Sequence, residues 1–284
     1  MEQTITMIAV AITAIVLISA SIYDWRFREI PDWHWRILFL MAIGLSILVT
    51  VRESLGTPGI AMVGCIALIA FDCTVDRYYP VKFDLILYAS IAITAFTALR
   101  YIDADVAHTF ISIPIMYAAM NILYYTGIIK GGADAKSIIA ISAVFPIYPE
   151  LMRLPIIAVP DTAASSVFVP AFAVLTMALV ICLLYGISNI ILNLIRRDIE
   201  FPQMFMGTRR PLEKAKKSKV WPMEDIVDNE VIDTTTANED ADIWKKLEEH
   251  GAQEIWVTAI IPFLIPITIA FSLMITIGFP LFIL

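Results

Sequence analysis

Two aspartates interrupt otherwise apolar stretches of this chain. Asp24 stands in SIYDWRFREIPDW at the end of one long apolar run, and Asp134 stands in IIKGGADAKSIIAISAV at the first turn of another. Two carboxylates held close together do not both ionise easily. One keeps a proton while the other stays charged, and such a pair activates a water and protonates a leaving amine. That is the chemistry of an aspartic protease. Each residue also has an ordinary explanation. Gly131-Gly132 is a common helix stop and an Asp before a helical run a common N-cap; Asp24 would serve as a polar marker of the interface, and Asp32, after Pro31, suits a first helical turn.

Parity is what favours the pair, and it depends on the elements that carry them. The chain has 284 residues, 59% of them hydrophobic and 17% charged, with a mean hydropathy of +0.79; that excludes an ordinary water-facing surface. A helix needs about 20 apolar residues to cross a bilayer, and the runs are continuous rather than alternating, so helices are expected and not a barrel. The fold class expected is an all-α polytopic membrane protein with about eight apolar helical segments, at 5–23, 33–51, 59–73, 83–99, 106–129, 137–148, 167–195 and 256–284. The sixth is short: either a half-span that dips in and leaves at Pro146 and Pro149, or the inner part of a longer helix whose outer end is irregular. Four segments lie between Asp24 and Asp134, which returns both carboxylates to one face of the membrane.

The first run lacks a basic segment ahead of it, and Arg26 and Arg28 follow it. That charge order belongs to an anchor with its N-terminus outside, not to a cleaved leader. In this orientation only Arg52, Arg100 and Arg153 of the 20 Lys and Arg lie outside, in keeping with the positive-inside bias. The expected organisation is a transmembrane catalytic core over 1–195, one large cytoplasmic loop or small appendage over 196–254, and a C-terminal transmembrane helix over 255–284. The loop opens basic (RRPLEKAKKSK), which suits anionic membrane lipid, and continues acidic; it supplies much of the net charge of −7 and gives no reason to expect nucleic acid. Cys65, Cys73 and Cys182 form neither a disulfide framework nor a zinc ligand set, and His34 is isolated, so no metal or cofactor is expected. Asp72, Asp76 and Asp84, in FDCTVDRYYPVKFD, compete for a place in the dyad but have no neighbouring glycines and read as loop charges.

DWRFREIP resembles the Asp-x-Arg-x-x-x-Ile-Pro signature that follows the first catalytic aspartate of type IV prepilin peptidases, and GGAD resembles their Gly-x-Gly-Asp motif. The archaeal branch, which processes preflagellins (archaellins) and other pilin-like precursors, is the nearest in pattern. The resemblance implies a membrane aspartyl endopeptidase with Asp24 and Asp134 as the catalytic pair. Arg26, Ile30, Pro31, Gly131, Gly132, Ala133 and Lys136 would support them, and pilin-like or archaellin precursors would be the substrates. The active site would face the cytoplasm, where the short basic leader of the precursor is removed at the membrane boundary. Ala133 departs from the motif, whose second glycine falls there. Three other readings use the same residues differently: a presenilin-like protease cutting within apolar spans, a transporter relaying protons through the two carboxylates, and a scaffold whose large loop is the working part.

Overall fold

The computed structural model of the chain describes residues 2–75, 81–101, 104–129, 131–159, 169–227, 230–234, 237–238, 240, 242–259 and 262–283. Asp76, one of the competing carboxylates, lies outside them. The helices are α1 (Glu2–Phe27), α2 (Trp33–Arg52), α3 (Gly56–Thr74), α4 (Val81–Tyr101), α5 (Ala104–Tyr125), α6 (Gly132–Val144), α7 (Pro170–Arg196), α8 (Gln203–Met206), α9 (Leu212–Lys216), α10 (Ile243–Glu249) and α11 (Leu264–Thr276). The chain forms two compact units, residues 1–178 with 262–284, and residues 179–261.

The larger unit is a helical bundle, to which α7 contributes only its residues up to Ala178. Among the described residues six helices are long and apolar enough to cross a membrane: α1 to α4, α7, and α11 with the 3-10 turn that follows it. α5 contributes a shorter apolar stretch, Phe110–Tyr125. The protein is thus a polytopic helical membrane protein, as its composition requires. Breaks between helices follow local chemistry. α1 stops at Phe27 because Arg28 adopts a left-handed conformation (φ 60°), and Pro31 then disfavours helix at the residue before it. α6 stops at Val144 for the same reason, since Pro146 follows Phe145.

α6 is 13 residues long, about 20 Å at 1.5 Å per residue and so short of the hydrocarbon thickness. Ala135 and every residue from Ser137 to Val144 are buried. It packs against α2 and α5 and touches α1. The chain then leaves it irregularly, and the backbone N–H groups of Ile156 and Ile157 donate to the carbonyls of Thr276 and Ile277 at the end of α11. The helix is too short to span alone, and the irregular chain that follows it reaches the end of α11 opposite to the first turn that Ser21 of α1 contacts.

The smaller unit contains strands β1 (Thr208–Pro211), β2 (Val220–Pro222), β3 (Glu224–Val227), β4 (Glu230–Asp233) and β5 (Glu254–Ala259). β5 is central in an antiparallel sheet ordered β1-β5-β2, and β3 and β4 form a separate hairpin. The last apolar segment, expected to be helical from 255 or 256, therefore starts as a strand, and its helix begins only at Leu264. The reason is in the side chains. Ile255 and Val257 enter a core with Leu212, Ala215, Val220, Ile243 and Leu247. Trp256, on the opposite face, packs with Met204 and Met223. A strand buried on both faces reads as a continuous apolar run, and the run that follows is helical.

Candidate active site

Asp24 lies one turn from the end of α1, where Arg28 Nη1 approaches its Oδ1 at 3.9 Å. The Asp24 side chain is 14% exposed, so it is enclosed on most sides and still reachable by water. Three contacts hold this end of α1. His34, buried at the start of α2, shares a hydrogen bond with Ser19 Oγ (3.1 Å) through Nε2 and with the Pro31 carbonyl (2.9 Å) through Nδ1. Ser21 Oγ donates to the Leu264 carbonyl (3.1 Å) at the first turn of α11. α1, the Pro31 turn and α2 are therefore riveted together by a residue that the sequence reading left isolated.

Asp134 occupies the first turn of α6, three residues after the N-cap, Gly131, whose carbonyl accepts from the Asp134 N–H (3.1 Å). Its carboxyl group folds back over the Gly131 Cα. A Cβ at position 131 would fall on Asp134 Oδ2 and lie 2.9 Å from Cγ, so a side chain there would displace the carboxylate. Gly132 is different: the nearest atoms to a Cβ are those of the Tyr124 ring at 3.6–3.8 Å, which is ordinary contact. α1 and α6 touch, and the carboxyl groups of Asp24 and Asp134, far apart in sequence, come within electrostatic range of each other.

Around them the motif residues divide. Ile30, Gly132, Ala133 and Lys136 line one cavity of about 290 Å³. Arg26 is exposed and does not line it. Pro31 is exposed as well and acts through its carbonyl, which takes hydrogen bonds from both the backbone and the ring of His34. Asp32 occupies the N-cap position of α2 but makes no capping hydrogen bond with its side chain. It pairs instead with Lys136 Nζ at 2.7 Å, which fastens the first motif to the second.

Asp72 is the largest departure from expectation. It is not a loop charge but part of the last turns of α3, and its Oδ2 accepts from the Tyr117 hydroxyl of α5 at 2.7 Å. It lines the same cavity as Asp32, Lys136 and the Gly132-Ala133 backbone. The signal was its position: like Asp24, it closes an apolar run while still helical. Asp84 falls in the first turn of α4. Among the described residues no three His, Cys, Asp or Glu side chains gather as a metal site.

The chain is 25% identical over 272 residues to the preflagellin peptidase of Methanococcus maripaludis (strain C6 / ATCC BAA-1332), an alignment that covers 93% of this chain and 93% of that protein. No protein-family model matches the sequence. The likeness carried by DWRFREIP and GGAD is thus accompanied by similarity along nearly the whole chain, and it supports kinship with the archaeal preflagellin and prepilin peptidases.

Proposed function

We propose that this membrane protein is an aspartyl endopeptidase that removes the leader of preflagellin-like or pilin-like precursors, with Asp24 and Asp134 as its catalytic pair. The observation that supports this most is the approach of two carboxylates from α1 and α6, one of them lying on a bare glycine Cα in the motif that resembles Gly-x-Gly-Asp. The similarity to a preflagellin peptidase supports precursors of that kind as the substrate class.

Two neighbouring carboxyl groups in a partly enclosed site hold one proton between them. The ionised member takes a proton from a water as the water oxygen attacks the scissile carbonyl carbon, and the protonated member hydrogen-bonds the carbonyl oxygen. When the tetrahedral intermediate collapses, the C–N bond breaks and the amine nitrogen leaves with a proton from the dyad. Asp24 near the end of one helix and Asp134 at the start of another put this chemistry at the edge of the bundle. A substrate backbone can be unwound there, whereas lipid would penalise its bare N–H and C=O groups. With the N-terminus outside, that edge faces the cytoplasm.

The deciding experiment incubates membranes carrying the protein with a preflagellin-type precursor and looks for a shortened product. Asp24→Asn and Asp134→Asn should each abolish the product while the protein still inserts. Loss of neither activity would remove the dyad, and no product from the parent protein would remove the protease.

A further inference from the structure

The chain does not run away from α7 where that helix ends. Arg197 takes a left-handed conformation (φ 65°), and the N–H groups of Arg197 and Asp198 donate to the carbonyls of Leu194 (3.2 Å) and Asn193 (3.0 Å). This turn reverses the chain, and α8 comes back alongside α7. Asn193 Nδ2 donates to the carbonyls of Met204 (2.9 Å) and Gly207 (2.7 Å), and Asn189 Nδ2 reaches that of Phe205 (3.4 Å). The Phe205 ring lies against Gly186, where a Cβ would fall on it. Gly186 stands about 15 Å back from Arg196 along the helix, so α8 covers the last turns of α7. Its inner side is fixed as well: Met204 packs with Met223 and Trp256, and Ile190 of α7 joins them.

Depth identifies what meets the outer side. α7 has 27 residues, about 40 Å of helix against about 30 Å of hydrocarbon. Counted from Pro170, the hydrocarbon ends about 20 residues on, near Ile190, which is the level that α8 occupies. Backbone carbonyls at that level need partners from the protein, because water is scarce there, and the buried amides of Asn189 and Asn193 supply them. The side chains turned outward are apolar: Phe201 is 81% exposed, Ile199 68% and Met206 44%. They follow in depth on Ile191 and Ile195 of α7, which are exposed too, and exposed Arg196 and Arg197 stand beside them. Apolar side chains next to cations at the end of a membrane helix match the interface of a bilayer, with acyl chains on one side and anionic headgroups on the other. We infer that residues 199–206 are a membrane-seated wedge. Ile199 and Phe201 enter the acyl boundary of the leaflet that α7 leaves, and Arg196 and Arg197 meet its headgroup phosphates. The smaller unit is thus anchored in lipid by this wedge as well as by α7, whatever reaction the dyad performs.

The test places a nitroxide spin label on the full-length protein in bilayer discs of mixed zwitterionic and anionic phospholipid, which leave both membrane faces open to water. Phe201→Cys carries the label in one sample and Ile199→Cys in a second, so the result does not hang on one variant. Lys245→Cys, whose parent side chain on α10 is 77% exposed, is the control. The signal of labelled protein with only Cys65, Cys73 and Cys182 is subtracted. Collisions with oxygen, which concentrates among acyl chains, are compared with collisions with a water-soluble nickel chelate. Labels at 201 and 199 should lie about 5–10 Å below the headgroup phosphates, with oxygen the dominant partner, and the label at 245 should meet the chelate freely. Labels at 201 and 199 that meet the chelate as freely as the label at 245 overturn the wedge. So do labels shielded from both reagents, because their cover is then protein and not lipid.

Discussion

Gly131→Ala isolates the geometry of the dyad from the stability of the fold. The backbone at 131 has φ −84° and ψ 110°, an extended conformation open to any residue, so alanine adds no backbone strain. What it adds is a methyl group on top of the Asp134 carboxylate. Non-bonded carbon atoms settle at about 3.5–4.0 Å, and the new Cβ would lie 2.9 Å from Cγ. Relief therefore needs the carboxylate to retreat by about 0.6–1 Å. Misplacement of a reacting group by about 1 Å costs on the order of 100-fold in rate, and that loss in kcat, with little change in KM, is the expected outcome. Gly132→Ala is the control. Its Cβ meets only the Tyr124 ring at contact distance, and alanine inside a helix is favoured over glycine by about 0.5–1 kcal/mol. It should lose less than about threefold, an ordinary contact being nearly neutral, and its Tm should not fall. The assay is a time course of precursor shortening by gel, with thermal unfolding of both variants in detergent. Equal activities of the two variants, or a greater loss in Gly132→Ala, would refute the steric account of the motif.

The Asp32–Lys136 pair is intermediate between exposed and buried, with side chains 18% and 28% exposed. Lys136→Met should therefore lower stability by about 1–2 kcal/mol and slow cleavage, and the double exchange Asp32→Lys with Lys136→Asp should recover part of both. In the smaller unit, burial raises the Glu224 carboxyl from its ordinary 4.5 to about 7, against the pull of the Trp256 N–H and with Asp233, Arg209 and Glu200 nearby. A carboxyl raised on folding stabilises most below its unfolded pKa. That contribution, about 3 kcal/mol at 1.4 kcal/mol per pH unit, is lost as pH rises from about 4.5 to about 7. Unfolding followed through tryptophan fluorescence should show this decline, and Glu224→Gln should flatten it, since its amide oxygen still accepts from the Trp256 N–H. Cysteines placed at Ser218 and Thr57 should differ in reaction with an impermeant reagent added to intact cells, Thr57→Cys labelling and Ser218→Cys not; the reverse would invert the topology.

Asp24 and Asp134 stood out in the sequence as candidates because a carboxylate at the end of an apolar run is conspicuous, and the shortness of the sixth segment was legible because its 13 helical residues lie between glycines and prolines. Partnerships were not. Asp32 looks like a helix cap in any local window, and only the packing of α2 on α6 brings Lys136 to it. Asp72 sits among other acids in FDCTVDRYYPVKFD, and nothing local reveals Tyr117. The core of the smaller unit was hidden by dilution: Leu212, Ala215, Val220, Ile243, Leu247, Ile255 and Val257 are scattered through a charged segment, so no window of it looks globular. EIWVTA failed for the opposite reason, being apolar enough to merge with the helix after it.

The two aspartates ride on helices that meet the lipid differently. α1 has 26 residues, about 39 Å of helix, and several of its apolar side chains, Ile8, Ile15 and Ile18 among them, are exposed. A helix longer than the hydrocarbon layer tilts as the bilayer thins or thickens. α6 is enclosed by protein and has no such freedom. Bilayer thickness therefore acts on the spacing of the dyad through one partner only, and acyl chain length becomes a control variable for this site: in vesicles of graded thickness, cleavage should pass through an optimum at which the tilt of α1 brings Asp24 to Asp134.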